Sequence, residues 1–205
     1  ERSAARPLKT APCYDRMKAL GAVFGSVYGW ERPNWFMPSA DYSLSVEELN
    51  QEDPAKVLMN KNHATALEDG RIVEKNSFRR SNYFEHVGNE CKHVNDKVGL
   101  LDMSAFAKCI VKGPGAEEWL EYIFANKMPK AIGRISLVHM LSLNGGVRAE
   151  FTVYKTGPQS YYLVSAGAFE THDHDYLFKL APKDGSVNIQ RVTTQTGVLV
   201  LAGPR

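Results

Sequence analysis

The sequence predicts an α+β fold in which helices pack on a mixed or antiparallel sheet. Three observations point to it. The stretch "LSLNGGVRAEFTVYK", residues 141–155, sets Asn-Gly-Gly between two alternating runs, a strong hairpin signal. "GAEEWLEYIFANK" spaces Trp119, Leu120, Ile123 and Phe124 as one helix face, with Glu117 and Glu118 suited to the positive first turn. From Ser81 onward strand-like and helical runs are mixed, without the strict strand–helix alternation of a doubly wound parallel sheet.

The elements follow in order. In "APCYDRMKALG" Tyr14, Met17 and Leu20 recur at helical spacing, and Gly21 is a C-terminal stop. "YGWERPNWFMP" gathers four aromatics, Tyr28, Trp30, Trp35 and Phe36, around two prolines, which forbid a regular helix. "SVEEL" carries a capping-box spacing, Ser45 with Glu48, and Pro54 limits any helix there. Residues 1–80 are therefore expected to form an irregular arm. "YFEHVGNECKHVNDKVG" places Val87, Cys91, Val94 and Val98 on one helical stripe. "FAKCIVKG" alternates as a strand. In the hairpin, Ile135, Leu137, His139, Leu141 and Leu143 share one face of the first strand. Val147, Ala149, Phe151 and Val153 share one face of the second, and Arg148, Glu150, Thr152 and Tyr154 the other. A strand "SYYLVSAG", a helix from about Thr171 to Leu180, and strands in "SVNIQRVT" and "GVLVLAG" complete the pattern.

Composition narrows the function classes. The 205 residues are 43% hydrophobic and 23% charged, with a formal net charge of +2, so no basic stripe suits nucleic acid. No apolar run approaches the roughly 18 residues of a membrane span. Three cysteines, Cys13, Cys91 and Cys109, show no C-x-x-C spacing, which fits a reducing compartment better than a disulfide scaffold. The start lacks Met and an apolar signal core, and the last residues follow directly on a strand-like run. Both ends are expected to be cuts through a longer chain.

Each candidate site has a plain structural reading beside it. Glu150 is a carboxylate among strand formers. Alternation alone makes it either a solvated residue with a weak ion pair to Arg148 or a working acid. In "THDHD" the histidines His172 and His174 point about 200° apart on a helix, so they do not share a metal ion as i, i+4 histidines do. His86 and His93 lie a heptad apart with no third ligand of suitable spacing. His139, on an apolar strand face, reads as a hydrogen-bonded core residue. "VKGPGAEEW" is a strand-to-helix turn and has neither phosphate-binding glycine pattern. No cysteine has a base or orienting partner in sequence.

Several motifs together carry a resemblance. "GLLDMSAFAK", "HMLSLNGGVRAEFTV", "YYLVSAGAFETHD" and "LAGPR" resemble the folate-binding part of the aminomethyltransferase (glycine cleavage T-protein) family. "RPLKTAPCYDRMKALGAVFGSVYGWERPNWF" is similar to the segment that follows the flavin domain in the dimethylglycine and sarcosine dehydrogenase branch. The resemblance implies a T-protein-like folate-binding domain whose N-terminal part is residues 81–205, and an arm over 1–80 that follows a flavin domain. It implies tetrahydrofolate as cofactor, with FAD in a domain outside this chain. It implies a small methylated amine as substrate, and a flavin domain or subunit and an electron-transfer flavoprotein as partners. It implies no nucleic acid and no membrane partner, and a bacterial cytoplasm or mitochondrial matrix as location.

Residue by residue, the resemblance makes Glu150 the acid that accepts a hydrogen bond or proton from the folate amine, at a position where relatives usually carry Asp. Ala149, Phe151 and Ser165 join Glu150 as cofactor-binding candidates, and Asp102 to Ser104 fall on a family motif read first as turn chemistry. The same resemblance extends to a regulatory subunit of pyruvate dehydrogenase phosphatase, so a non-catalytic regulatory paralogue is the alternative.

Overall fold

The computed structural model describes residues 3–37, 65–66, 72–73, 78, 80–81 and 83–204. The Ser45–Glu48 capping spacing and Pro54 lie outside the described residues. The chain divides into two compact units, Glu1–Asp102 with Leu199–Arg205, and Met103–Val198.

The first unit begins with helix α1 (Tyr14–Ala19), which buries Met17. The chain then forms two antiparallel strands, β1 (Ala22–Val27) and β2 (Trp30–Phe36). This hairpin is a regular element inside the segment expected to be irregular. Tyr28 and Gly29 join the strands with φ of 53° and 82°, the turn handedness that matches strand twist. Pro33 is tolerated because the sheet has only two strands, which leaves both of them edges. The aromatics of "YGWERPNWFMP" therefore sit on a ladder: Trp30 and Trp35 are buried and Trp35 packs with Val23 and Met37. Arg6 grips the hairpin through Glu31, with Nε donating to Oε1 at 2.8 Å and Nη2 to Oε2 at 2.6 Å, and also donates to the Phe24 carbonyl.

Two short paired strands follow, β3 (Thr65–Ala66) and β4 (Ile72–Val73). Helix α2 (Phe84–Asp96) carries Val87, Cys91 and Val94 of the predicted stripe but ends before Val98; only Val87 reaches the Trp35 cluster, while Cys91, Val94 and Val98 stay exposed. His86 stacks on Trp35, with ring centroids 5.2 Å apart. Strand β5 (Gly99–Asp102) pairs antiparallel with the last strand of the chain, Leu199–Ala202.

The second unit is built on a six-stranded sheet. Its strands are β6 (Ala107–Lys112), β7 (Phe124–Ala125), β8 (Ile135–Leu141), β9 (Val147–Gly157), β10 (Ser160–Ser165) and β11 (Asn188–Arg191). They lie in the order β11-β6-β10-β9-β8-β7, and all pairs are antiparallel. Helices α3 (Ala116–Ile123) and α4 (Glu170–Leu180) supply Trp119, Leu120 and Leu177 to a core with Val111, Val138, Met140, Phe151, Val153, Tyr161 and Leu163. Burying each such large side chain contributes about 1.5–3 kcal/mol. The indole N–H of Trp119 donates to the Leu180 carbonyl at 3.0 Å and so ties α3 to the end of α4. The final strand, β12 (Leu199–Ala202), belongs to the first unit.

The turn before α3 has a steric reason for its glycine. Gly113 has φ of 132°, and a Cβ there would stand 2.2 Å from the Ser186 carbonyl oxygen. Gly115 donates to that same carbonyl at 3.1 Å. The glycines of "VKGPG" thus close a strand-to-helix turn against a neighbouring loop.

One expectation about the hairpin is corrected. The face of β8 with Val138 and Met140 is the buried one, while Ile135, Leu137 and Leu141 are exposed and His139 is half-buried. Both faces of β8 carry apolar residues, and the core takes the Val138 side; the ladder beside it also holds a β-bulge. Leu141 pairs with Val147, but Met140 pairs with Ala149, so Arg148 is an extra residue on β9. Regular counting from the Leu141–Val147 pair sets His139 opposite Ala149. The bulge takes up Arg148, and His139 stands opposite Glu150 on the face turned away from the core.

Candidate functional site

Glu150 stands in the middle of the outer sheet face, directly across from His139. His139 Nε2 and Glu150 Oε2 are 3.2 Å apart, and the side chains are 37% and 59% exposed. Leu137 precedes the pair and Leu141 follows it on β8, both exposed, and Thr152 lies beyond Glu150 on β9. The carboxylate is therefore an open acceptor with apolar margins, not a group already sealed in a dry cleft.

The expected partner of Glu150 is elsewhere. The bulge carries Arg148 onto α4, where its guanidinium carbon lies 4.1 Å from the Tyr176 ring centroid. Arg148 Nη2 is 3.3 Å from His172 Nε2, and His172 Nδ1 is 2.9 Å from Asp173 Oδ1. Arg148 and His172 thereby clamp β9 to α4, and His174 points to a different neighbour, the ring of Phe178.

The other sequence-predicted residues lie on the opposite side of the sheet. Ala149 packs against the core, and Phe151 is 2% exposed with its ring 5.0 Å from Phe124. Ser165 is buried at the end of β10, opposite Ala107. Phe151 and Ser165 meet at a cavity of about 20 Å³ with Cys109, Asp173, His174 and Arg191 in its wall. That volume holds about one water, whereas a small-molecule pocket has roughly 300–1,000 Å³. The structure thus brings Phe151 and Ser165 together and sets them apart from Glu150.

The electrostatics of the inner side are structural. Burial, with Asp173 beside it, pushes the Cys109 thiol up to about 12, which leaves no nucleophilic thiolate there. Burial lowers His174, helped by Arg191, and both its ring nitrogens are buried without a hydrogen-bond partner. At the far end of the sheet Glu117 accepts from Lys155 Nζ at 2.6 Å and from Tyr161 Oη at 2.6 Å. Lys130 bridges Glu117 and Glu121 at the surface. Ser104, from the "LDMS" motif, accepts the Val198 N–H at 3.0 Å, and its carbonyl accepts Lys108 Nζ at 2.6 Å.

Sequence reasoning missed His139 as the companion of Glu150 because alternation sorts the faces of each strand separately and gives no cross-strand register. It also missed Glu117 as a hub, since first-turn placement explained that residue without any long-range contact.

The fold is similar to the glycine cleavage system aminomethyltransferase T from Bartonella henselae, with a TM-score of 0.62 at 21% identity over 97% of this chain and 41% of that one. The GCVT N-terminal domain model matches residues 13–205, and the chain belongs to that family. Among curated relatives, mitochondrial dimethylglycine dehydrogenase of Mus musculus is 34% identical over all of this chain and 20% of its own length. The mitochondrial pyruvate dehydrogenase phosphatase regulatory subunit of Mus musculus is 30% identical over 98% of this chain and 20% of its own length. The chain thus spans about one fifth of these relatives.

Proposed function

We propose that this domain is the tetrahydrofolate-side, one-carbon-transfer module of a flavin-dependent N-methyl amine dehydrogenase or demethylase. The carrying observation is the Glu150 carboxylate, presented across from His139 on an open sheet face of a GCVT-family domain. The similarity to dimethylglycine dehydrogenase supports an amine of the dimethylglycine or sarcosine kind. The residues present fit the cofactor: Glu150 offers an unblocked acceptor for an N–H, and Leu137 and Leu141 offer flat apolar surface beside it.

Tetrahydrofolate, when bound, supplies the amine that takes up the one-carbon unit. Glu150 accepts a hydrogen bond or proton from that amine and so raises its nucleophilicity. Ala149, Phe151 and Ser165 support the face from behind by fixing β9 and β10. No flavin step is assigned to this chain, whose sequence has no dinucleotide fingerprint. FAD, the methylated amine and an electron-transfer flavoprotein belong to the rest of the proposed assembly. The division into an arm over 1–80 and a folate domain from residue 81 is part of the same proposal, as is a mitochondrial matrix or bacterial cytoplasmic location.

Similarity to the phosphatase regulatory subunit supports a second reading, a domain that keeps the architecture in a regulatory role without catalysis. The two are separated in the full-length protein. The catalytic reading expects flavin absorbance, tetrahydrofolate binding, and a Glu150→Gln variant that forms 5,10-methylenetetrahydrofolate more slowly while amine oxidation continues. Absence of both flavin and folate binding supports the regulatory reading. An unchanged yield of 5,10-methylenetetrahydrofolate in Glu150→Gln removes Glu150 from the mechanism.

A further inference from the structure

We propose that His139 is a positioning residue for Glu150, one that holds the longer acid where the folate amine can reach it. The role holds only if Glu150 is the folate-side acid, as proposed above.

Three features of the molecule support it. His139 is the direct cross-strand partner of Glu150, and the contact is made by side chains 3.2 Å apart. The backbone under His139 is held on both sides, by Glu150 of β9 and by Ala125 of β7, and Asn126 Nδ2 donates to the nearby Leu137 carbonyl at 2.7 Å. The imidazole therefore projects from a fixed base, whereas a glutamate has three side-chain torsions to settle.

The bulge supplies the third feature. Arg148 is the cation nearest to Glu150 in sequence, and it is removed to Tyr176 and His172. A permanent guanidinium on Glu150 would occupy both carboxylate oxygens and hold the acid ionised. A neutral imidazole with Nε2 protonated donates one hydrogen bond and leaves the other oxygen free for the folate amine. A contact this exposed adds little to folding stability, so conformational stability alone gives little reason for this opposition.

The test uses the full-length protein with His139→Ala, His139→Gln, Glu150→Gln and the His139→Ala/Glu150→Gln double variant. Tetrahydrofolate affinity is read by fluorescence quenching, and one-carbon transfer by 5,10-methylenetetrahydrofolate formation. His139→Ala is expected to slow transfer by about tenfold, below the roughly hundredfold that a 1 Å misplacement can cost, and to weaken folate binding. His139→Gln, whose amide can donate in place of Nε2, is expected to restore part of both. In the Glu150→Gln background, His139→Ala is expected to have little further effect on either readout. Wild-type transfer and binding in His139→Ala, with Glu150→Gln impaired, overturns the positioning role and leaves the tetrahydrofolate reading standing. So do effects of the two substitutions that simply multiply. An unimpaired Glu150→Gln overturns the positioning role and removes Glu150 from the mechanism, whereas a wild-type protein that neither binds tetrahydrofolate nor forms 5,10-methylenetetrahydrofolate overturns the tetrahydrofolate reading.

Discussion

Glu117, in the first turn of α3, receives hydrogen bonds from Lys155 of β9 and Tyr161 of β10, each at 2.6 Å. One carboxylate thereby joins a helix to two strands at the end of the sheet. Lys155, Tyr161 and Lys130, in that order of weight, hold the Glu117 carboxyl down to about 2. An unfolded glutamate titrates near 4.5, so the unfolded chain binds a proton at a higher pH than the folded chain does. The stability from this cluster is then complete above about pH 4.5 and is lost as the pH falls toward 2. The side chain is 35% exposed, so water weakens the gain. Urea midpoints between pH 6 and pH 2.5 should fall less steeply in Glu117→Gln than in the wild type.

Phe151 and Glu150 are adjacent on β9 and should respond in opposite ways. Phe151→Ala removes a ring that is 2% exposed and packed on Phe124, at a cost of about 3–5 kcal/mol. Glu150→Gln changes an exposed side chain and should stay within about 0.5 kcal/mol of wild-type stability. Equilibrium denaturation of both variants checks this. A large loss in Glu150→Gln would make the carboxylate a structural group.

His174 should make the protein less stable in mild acid. Burial, then Arg191, lowers its folded pKa below the ordinary 6.5. Below about pH 6.5 the unfolded chain takes up a proton that the folded chain refuses, so stability falls with pH through that range. His174→Leu should narrow the difference in melting temperature between pH 7.5 and pH 5.5. An unchanged difference would mean that the ring is charged and solvated in the folded protein.

Much of the fold was legible in the chain because local signals agreed with it. Asn144-Gly145-Gly146 turns the hairpin, and α1, α2, α3 and α4 fall on the predicted helical runs. The β1–β2 hairpin was not legible, since Pro33 and the crowded aromatics hid an edge ladder. The burial of β8 was not legible either. Both of its faces are apolar, so alternation found two faces without saying which one meets the helices.

The site was half legible. Glu150 stood out as an acid in a strand and through the motifs around it. Its geometry depends on long-range register, which alternation along a single strand does not give. Phe151 and Ser165 were grouped with Glu150 by nearness in sequence and by resemblance, but a pleated strand sends successive side chains to opposite sides.

The bulge at Arg148 also divides β9 into two parts of opposite parity. Toward the turn, residues count from the Leu141–Val147 pair, and beyond it from the Met140–Ala149 pair. Removing the extra residue would let both counts run as one ladder while every opposition from Met140–Ala149 onward, His139 with Glu150 included, stayed the same. The tip of the hairpin is thus free to change length by one residue without moving the carboxylate to the other side of the sheet.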